Sequence, residues 1–244
     1  MGAIRLLILG LRSALFYLGY YLVTIVMALA FILCFPLLPD RGRYFFAVCW
    51  VNFILFWLRL SCGVHHEIEG IENLPPGPII IMANHQSSWE TLLFYKLTYP
   101  IAPILKKELL RIPLWGWAMK LQRPIAIDRA DPRGAGKSLL TQGVRRIKEG
   151  CSIVVFPEGT RSPPGTVKRM SRGGAKLAVA AQAPIVPIAH NAGICWPPRS
   201  FIKLPGTVRV VIGEVISPAG RSASELTQSI ETWIRDQVML LGSN

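Results

Sequence analysis

Residues 78–98 read PIIIMANHQSSWETLLFYKLT, and this stretch decides the fold. Ile79-Ile80-Ile81-Met82-Ala83 is short, continuous and apolar, the pattern of a strand covered on both faces. It ends in a polar step, Asn84-His85-Gln86, and the following SSWETLLFYKLTY reads as a helix. A strand, a polar loop and a helix in that order form the repeating unit of an α/β domain.

The alternation continues on both sides. Upstream, HHEIEGIENLPPGP reads as a strand and a turn. Downstream, IAPILKKELLRIPLWGWAMKLQ holds a short strand and a helix opening near Ile112-Pro113, and RPIAIDR is another strand. Ala135–Glu149 is amphipathic and stops at Gly150. CSIVVFPEGT is a strand with its loop, GGAKLAVAAQ a helix, APIVPIAH and GTVRVVIGEVI strands, and Ser222–Leu241 the last helix. The expected fold is α/β, a central mostly parallel mixed sheet flanked by helices.

The first 63 residues differ. Ala14–Leu38 carries no charge and is long enough to span a bilayer as a helix, with Tyr17, Tyr20 and Tyr21 clustered as interfacial aromatics are. Pro36 and Pro39 break it, and a second apolar run follows, Tyr44–Leu58, short for a full span. The reading is a membrane-embedded two-helix hairpin dipping into one leaflet, with a two-span hairpin as the rival. A signal peptide has a shorter apolar core and no second apolar run. The expected division is residues 1–63 as membrane anchor and 64–244 as α/β domain.

Composition agrees with a lipid-facing part: hydrophobic residues reach 51% and charged residues only 17%. The net charge of +13 divides as +4 before residue 64 and +9 after it. Such a balance attracts nucleic acid, anionic headgroups or phosphorylated substrates. The basic residues are dispersed and no nucleic-acid motif is present, so no nucleic acid is expected. The five Cys are widely spaced with no C-x-x-C pair. They read as buried free thiols, and no metal is expected.

Two segments carry chemistry. In Asn84-His85-Gln86-Ser87-Ser88-Trp89-Glu90, His85 follows a strand, where α/β folds place their sites. On one regular helix, positions five apart point about 140° away from each other. His85 and Glu90 meet only if His85 precedes the helix and Glu90 sits in its first turn. A carboxylate there binds one imidazole nitrogen and leaves the other free to take a proton from an alcohol. Ser87-x-x-Glu90 also fits a capping box, in which Glu90 closes a helix start and His85 is an ordinary turn residue. A metal site on His85 and Glu90 is a minor alternative. In Phe156-Pro157-Glu158-Gly159-Thr160-Arg161-Ser162, Gly159 permits close backbone approach and Thr160 and Arg161 offer donors to phosphate oxygens. Glu158 orients Arg161 or holds a substrate hydroxyl. The plain alternative is a loop with a local Glu–Arg pair.

NHQSSWE resembles the H-x4-D motif of the glycerolipid acyltransferases, the family of 1-acylglycerol-3-phosphate acyltransferases, and FPEGTRS matches that family's second signature. Lys106-Lys107-Glu108-Leu109 through Ile112-Pro113 and Gly116-Trp117, closed by Ile127-Asp128-Arg129, resembles the intervening block; Arg172-Gly173-Gly174-Ala175 and Val186-Pro187-Ile188 resemble the last two. Glu90 stands where the family usually has Asp, which keeps the carboxylate and adds one methylene.

The resemblance implies transfer of a fatty acyl group from a thioester, acyl-CoA or acyl carrier protein, to the free hydroxyl of lysophosphatidic acid. It gives His85 as base and Glu90 as its partner. Glu158, Gly159, Thr160 and Arg161 hold the glycerol phosphate, with Lys106 and Arg172 as further phosphate ligands. Backbone amides near Val186-Pro187-Ile188 face the oxyanion. No cofactor is implied. The expected location is the cytoplasmic face of the inner or plasma membrane. Another lysophospholipid or a lyso-aminolipid is the alternative acceptor. A lipid hydrolase would need a G-x-S-x-G nucleophile, which is absent; a non-catalytic membrane lipid-binding protein would be expected to lose His85 or the FPEGTR loop.

Overall fold

The computed structural model describes residues 2–128 and 130–242; Arg129 of the intervening block lies outside them. Two helices come first, α1 (Ala3–Cys34) and α2 (Asp40–Cys62), joined by a 3-10 turn at Phe35–Leu37. Both are longer than their uncharged runs. Arg12 is accommodated inside α1 because its Nε donates to the Ser61 carbonyl at 2.7 Å, tying the two helices together. Gly63 ends α2 in the left-handed conformation (φ 72°), its N–H closing on the Arg59 carbonyl.

The body follows as β1 (Val64–Glu69), β2 (Ile80–Ala83), α3 (Trp89–Leu97), β3 (Ile101–Ala102), β4 (Ile104–Lys106), α4 (Trp115–Leu121), β5 (Ile125–Ile127), α5 (Pro132–Lys148), β6 (Ser152–Val155), α6 (Gly173–Ala181), β7 (Ile185–His190), β8 (Gly206–Ile212) and α7 (Ala223–Gly242). Six strands form one sheet in the order β1-β8-β7-β2-β6-β3, and β4 pairs with β5 separately. Every pairing is parallel except β7 with β8. The sheet is therefore mixed and mostly parallel, as its pattern indicates. Two boundaries move. α4 opens at Trp115 rather than Ile112, because residues 107–111 form a 3-10 turn first. α5 opens at Pro132 rather than Ala135, because the Asp131 carboxylate caps it through the Gly134 N–H.

β2 lies inside the sheet, and its alternate side chains enter two cores. Ile79, Ile81 and Ala83 join residues of the hairpin and α3; Ile80 and Met82 join residues of α5, α6 and α7. Each fully buried Ile contributes about 1.5–3 kcal/mol, so this strand is fixed in register and anchors the loop that follows it.

Packing does not stop at residue 63. Phe16, Ile54 and Leu58 belong to the same core as Trp89, Leu93 and Val210. Lys203 N–H donates to Ser13 Oγ at 2.9 Å, Phe16 meets Trp196 edge-on, and Tyr17 stacks on Phe201. The opposite face of α1 is apolar and bare, with Leu18, Leu22, Ile25, Val26 and Leu33 exposed. Both helices are long and apolar enough to cross a membrane, and such a face suits membrane association. All five cysteines are free; Cys62 and Cys195 are buried, while Cys34, Cys49 and Cys151 are half-buried rather than fully covered.

Candidate active site

β2, β6 and β7 run parallel, and their C-terminal ends deliver His85, Glu158 and His190 to one place. The helix after β2 starts at Trp89, so Glu90 sits in its first turn while His85 precedes it. This is the geometry that lets residues five apart meet: His85 Nδ1 lies 2.7 Å from Glu90 Oε1. The same oxygen accepts the Gln86 and Ser87 N–H groups at 3.0 and 2.8 Å. The Ser87 contact is one arm of a capping box, so the capping and dyad readings share a single oxygen. Glu90 is fully buried. Burial alone would raise its pKa, but the nearby His190 and His85 rings, the His85 hydrogen bond and the Ser87 N–H outweigh it and hold the carboxyl below its ordinary value. With Nδ1 committed to a carboxylate, the proton belongs on Nδ1 and Nε2 is the nitrogen left for the groove.

The rest of His85 is held as firmly. Its N–H donates to Glu158 Oε1 at 2.9 Å, its carbonyl accepts the Ser162 N–H at 2.7 Å, and its ring stacks on Phe156 at 4.3 Å. Glu158 Oε2 accepts the Ser162 hydroxyl and the Lys168 N–H. Both carboxylate oxygens are thus engaged by groups of the protein, and neither forms an ion pair with Arg161. Arg161 instead donates to Ser88 Oγ at 2.7 Å, bridging the two loops on their outer side. Gly159 takes the left-handed conformation (φ 71°) that turns the loop between Glu158 and Arg161.

A groove of about 840 Å³ opens over His85. Ser88, Thr160, Arg161 and Lys106 line it, and the hairpin contributes Tyr20 and Trp50 to its wall. Trp50 and Trp115 also line a smaller apolar cavity of about 60 Å³ between α1, α2 and α4. Two expected parts of the site, Arg172 and the Val186-Pro187-Ile188 segment, lie elsewhere. Arg172 stands at the start of α6, exposed and outside the groove lining. Val186, Pro187 and Ile188 are buried inside β7 with a strand on either side, and proline has no N–H, so this segment offers the groove no donors. Among the described residues no group of three or more His, Cys, Asp or Glu side chains could hold a metal ion.

Sequence reasoning missed Asn84 and His190. Asn84 Nδ2 donates to the His190 carbonyl and its Oδ1 accepts the His190 N–H, at 2.9 and 3.0 Å. The available signal was a polar residue closing each of two fully buried apolar strands.

A buried carboxylate–histidine pair under a cationic, partly apolar groove is the equipment of a transferase that deprotonates a hydroxyl. Comparison with known proteins gives the same class. The sequence profile of the family described as Acyltransferase matches residues 65–191. A 1-acyl-sn-glycerol-3-phosphate acyltransferase of Pseudomonas aeruginosa is 42% identical over 231 residues, 93% of this chain and 90% of the relative. The human 1-acyl-sn-glycerol-3-phosphate acyltransferase alpha is 34% identical over 208 residues, 80% of this chain and 69% of the relative. The crystal structure of the 1-acyl-sn-glycerophosphate (LPA) acyltransferase PlsC from Thermotoga maritima superposes with a TM-score of 0.81 at 28% identity, over 100% of this chain and 99% of that one. The chain belongs to the 1-acylglycerol-3-phosphate acyltransferase family, and it is an enzyme.

Proposed function

We propose that this chain transfers a fatty acyl group from acyl-CoA or acyl carrier protein to the sn-2 hydroxyl of lysophosphatidic acid, giving phosphatidic acid. The observation that carries it is the His85–Glu90 pair set at the groove beside Arg161. Nε2 of His85 takes the hydroxyl proton as the oxygen attacks the thioester carbonyl. The tetrahedral intermediate then collapses, the C–S bond breaks, and the proton on Nε2 passes to the leaving thiolate. Glu90 stays ionised and stabilises the imidazolium formed on the way.

Arg161, Thr160 and Lys106 line the groove and suit the acceptor phosphate. We assign Glu158 to holding His85 rather than to the phosphate, because both its oxygens already accept from the protein and its charge would repel one. The small apolar cavity lined by Trp50 and Trp115 has room for only the last few carbons of an acyl chain.

The hairpin supports placement in one leaflet. Its first helix is held against the body at Ser13, Phe16 and Tyr17 and packs on α4 further along. A helix lying along a folded body cannot also cross about 30 Å of hydrocarbon without drawing that body in. The groove then opens at the membrane surface, on the cytoplasmic side where either thioester donor is available. The experiment is direct: supply labelled acyl-CoA or acyl carrier protein to the purified protein with a panel of lysolipids. Phosphatidic acid as the main product supports the reading, and turnover confined to another lysolipid replaces the acceptor.

A further inference from the structure

β7 ends in a histidine that the transfer steps do not use. His190 is fully buried, and each ring nitrogen faces a backbone group of fixed polarity. Nε2 lies 2.9 Å from the Asn84 carbonyl oxygen, which only accepts. Nδ1 lies 3.3 Å from the Ala192 N–H, which only donates. One form satisfies both, the neutral imidazole with its proton on Nε2. The Asn84 side chain returns the grip through the His190 backbone, so three hydrogen bonds join these residues across β2 and β7.

The carbonyl that His190 holds belongs to the peptide bond whose N–H is that of His85. Glu158 holds that N–H. The peptide is therefore gripped at both ends, and the base has no freedom to pivot about it. The His190 ring also packs edge-on to Phe94 and faces Glu90 of α3, with His85 and Glu158 as the other titratable neighbours. Glu90 Oε2 is buried and has no hydrogen-bond partner among the described residues. Burial keeps His190 below its ordinary pKa, against the pull of Glu90 and of the Asn84 hydrogen bond.

We propose that His190 is a positioning residue for the base: it clamps the Asn84–His85 peptide, and with it the ring that must meet Glu90. This rests on His85 being the base, so His85→Ala is measured in parallel.

Three variants of the full-length protein in detergent separate the roles. His190→Gln carries an amide nitrogen out to the Nε2 position and keeps the donor to Asn84. His190→Asn reaches only the Nδ1 position and keeps the acceptor for Ala192. His190→Phe fills the space and keeps neither. The expected result is a kcat near wild type for His190→Gln. For the other two, kcat falls on the order of 10- to 100-fold with an unchanged KM for the lysolipid. A wild-type kcat in His190→Phe overturns the proposal, as does loss in all three that follows melting temperature alone. Full activity in His85→Ala instead overturns the reading of the base.

Discussion

The His85 N–H donates to Glu158 Oε1 at 2.9 Å, across 73 residues of sequence. The Ser162 N–H answers by donating to the His85 carbonyl. The two signature loops are thus one unit, and Glu158 reads as its buckle. Glu158→Gln turns one acceptor into a donor facing other donors, so it should cost about 1–3 kcal/mol of stability. It should lower kcat while leaving the KM for lysophosphatidic acid unchanged. Arg161→Ala should do the reverse, raising that KM at least about tenfold, with little effect on the KM for the thioester. Steady-state kinetics with each substrate varied in turn separates the two.

Glu90 Oε1 accepts three donors, and its negative charge faces the ring on which a proton must be held in the transfer. Glu90→Gln should lower kcat on the order of 100-fold or more. Glu90→Asp keeps the charge with one methylene fewer, so it should stay within about tenfold of wild type. A near-wild-type kcat in Glu90→Gln beside a large loss in Glu90→Asp would show that side-chain length, not charge, is what matters.

Two buried groups of the site, His190 and Glu90, favour proton release in the folded state. The folded pKa of His190 lies below its ordinary 6.5, and that of Glu90 below its ordinary 4.5. Above pH 6.5 neither costs stability. As pH falls below 6.5 the unfolded chain binds a proton that folded His190 refuses, so stability drops, and Glu90 adds its own loss below 4.5. Thermal melts in detergent from pH 7 down to 5 should show a falling melting temperature. The fall should be shallower in His190→Gln.

Trp50 and Trp115 line both the groove over His85 and the apolar cavity between α1, α2 and α4, so a shift of these two rings would join them. Ala118→Leu places extra carbon there. Its donor preference should move toward shorter acyl chains, measured by competition among acyl-CoA lengths, with His85 chemistry unaffected on the shortest.

The sheet was legible because β2 is apolar at every position and β8 alternates. The meeting of His85 with Glu90 was legible because a strand-to-helix step left it one geometry. The Asn84–His190 clamp was not, since it joins residues 106 apart and neither strand's pattern names its partner. The hairpin's share of the groove was also hidden: an apolar run says that Tyr20 and Trp50 avoid water, not which wall they form. Arg172 shows the converse. Its motif is local, but the fold carries it to the far end of a loop, away from the groove.

The central claim is that His85 is the base. His85→Ala, purified in detergent and assayed with acyl-CoA and lysophosphatidic acid, should lose on the order of 1,000-fold or more in kcat while melting near the wild-type temperature. A folded His85→Ala protein that still forms phosphatidic acid at the normal rate would contradict the account.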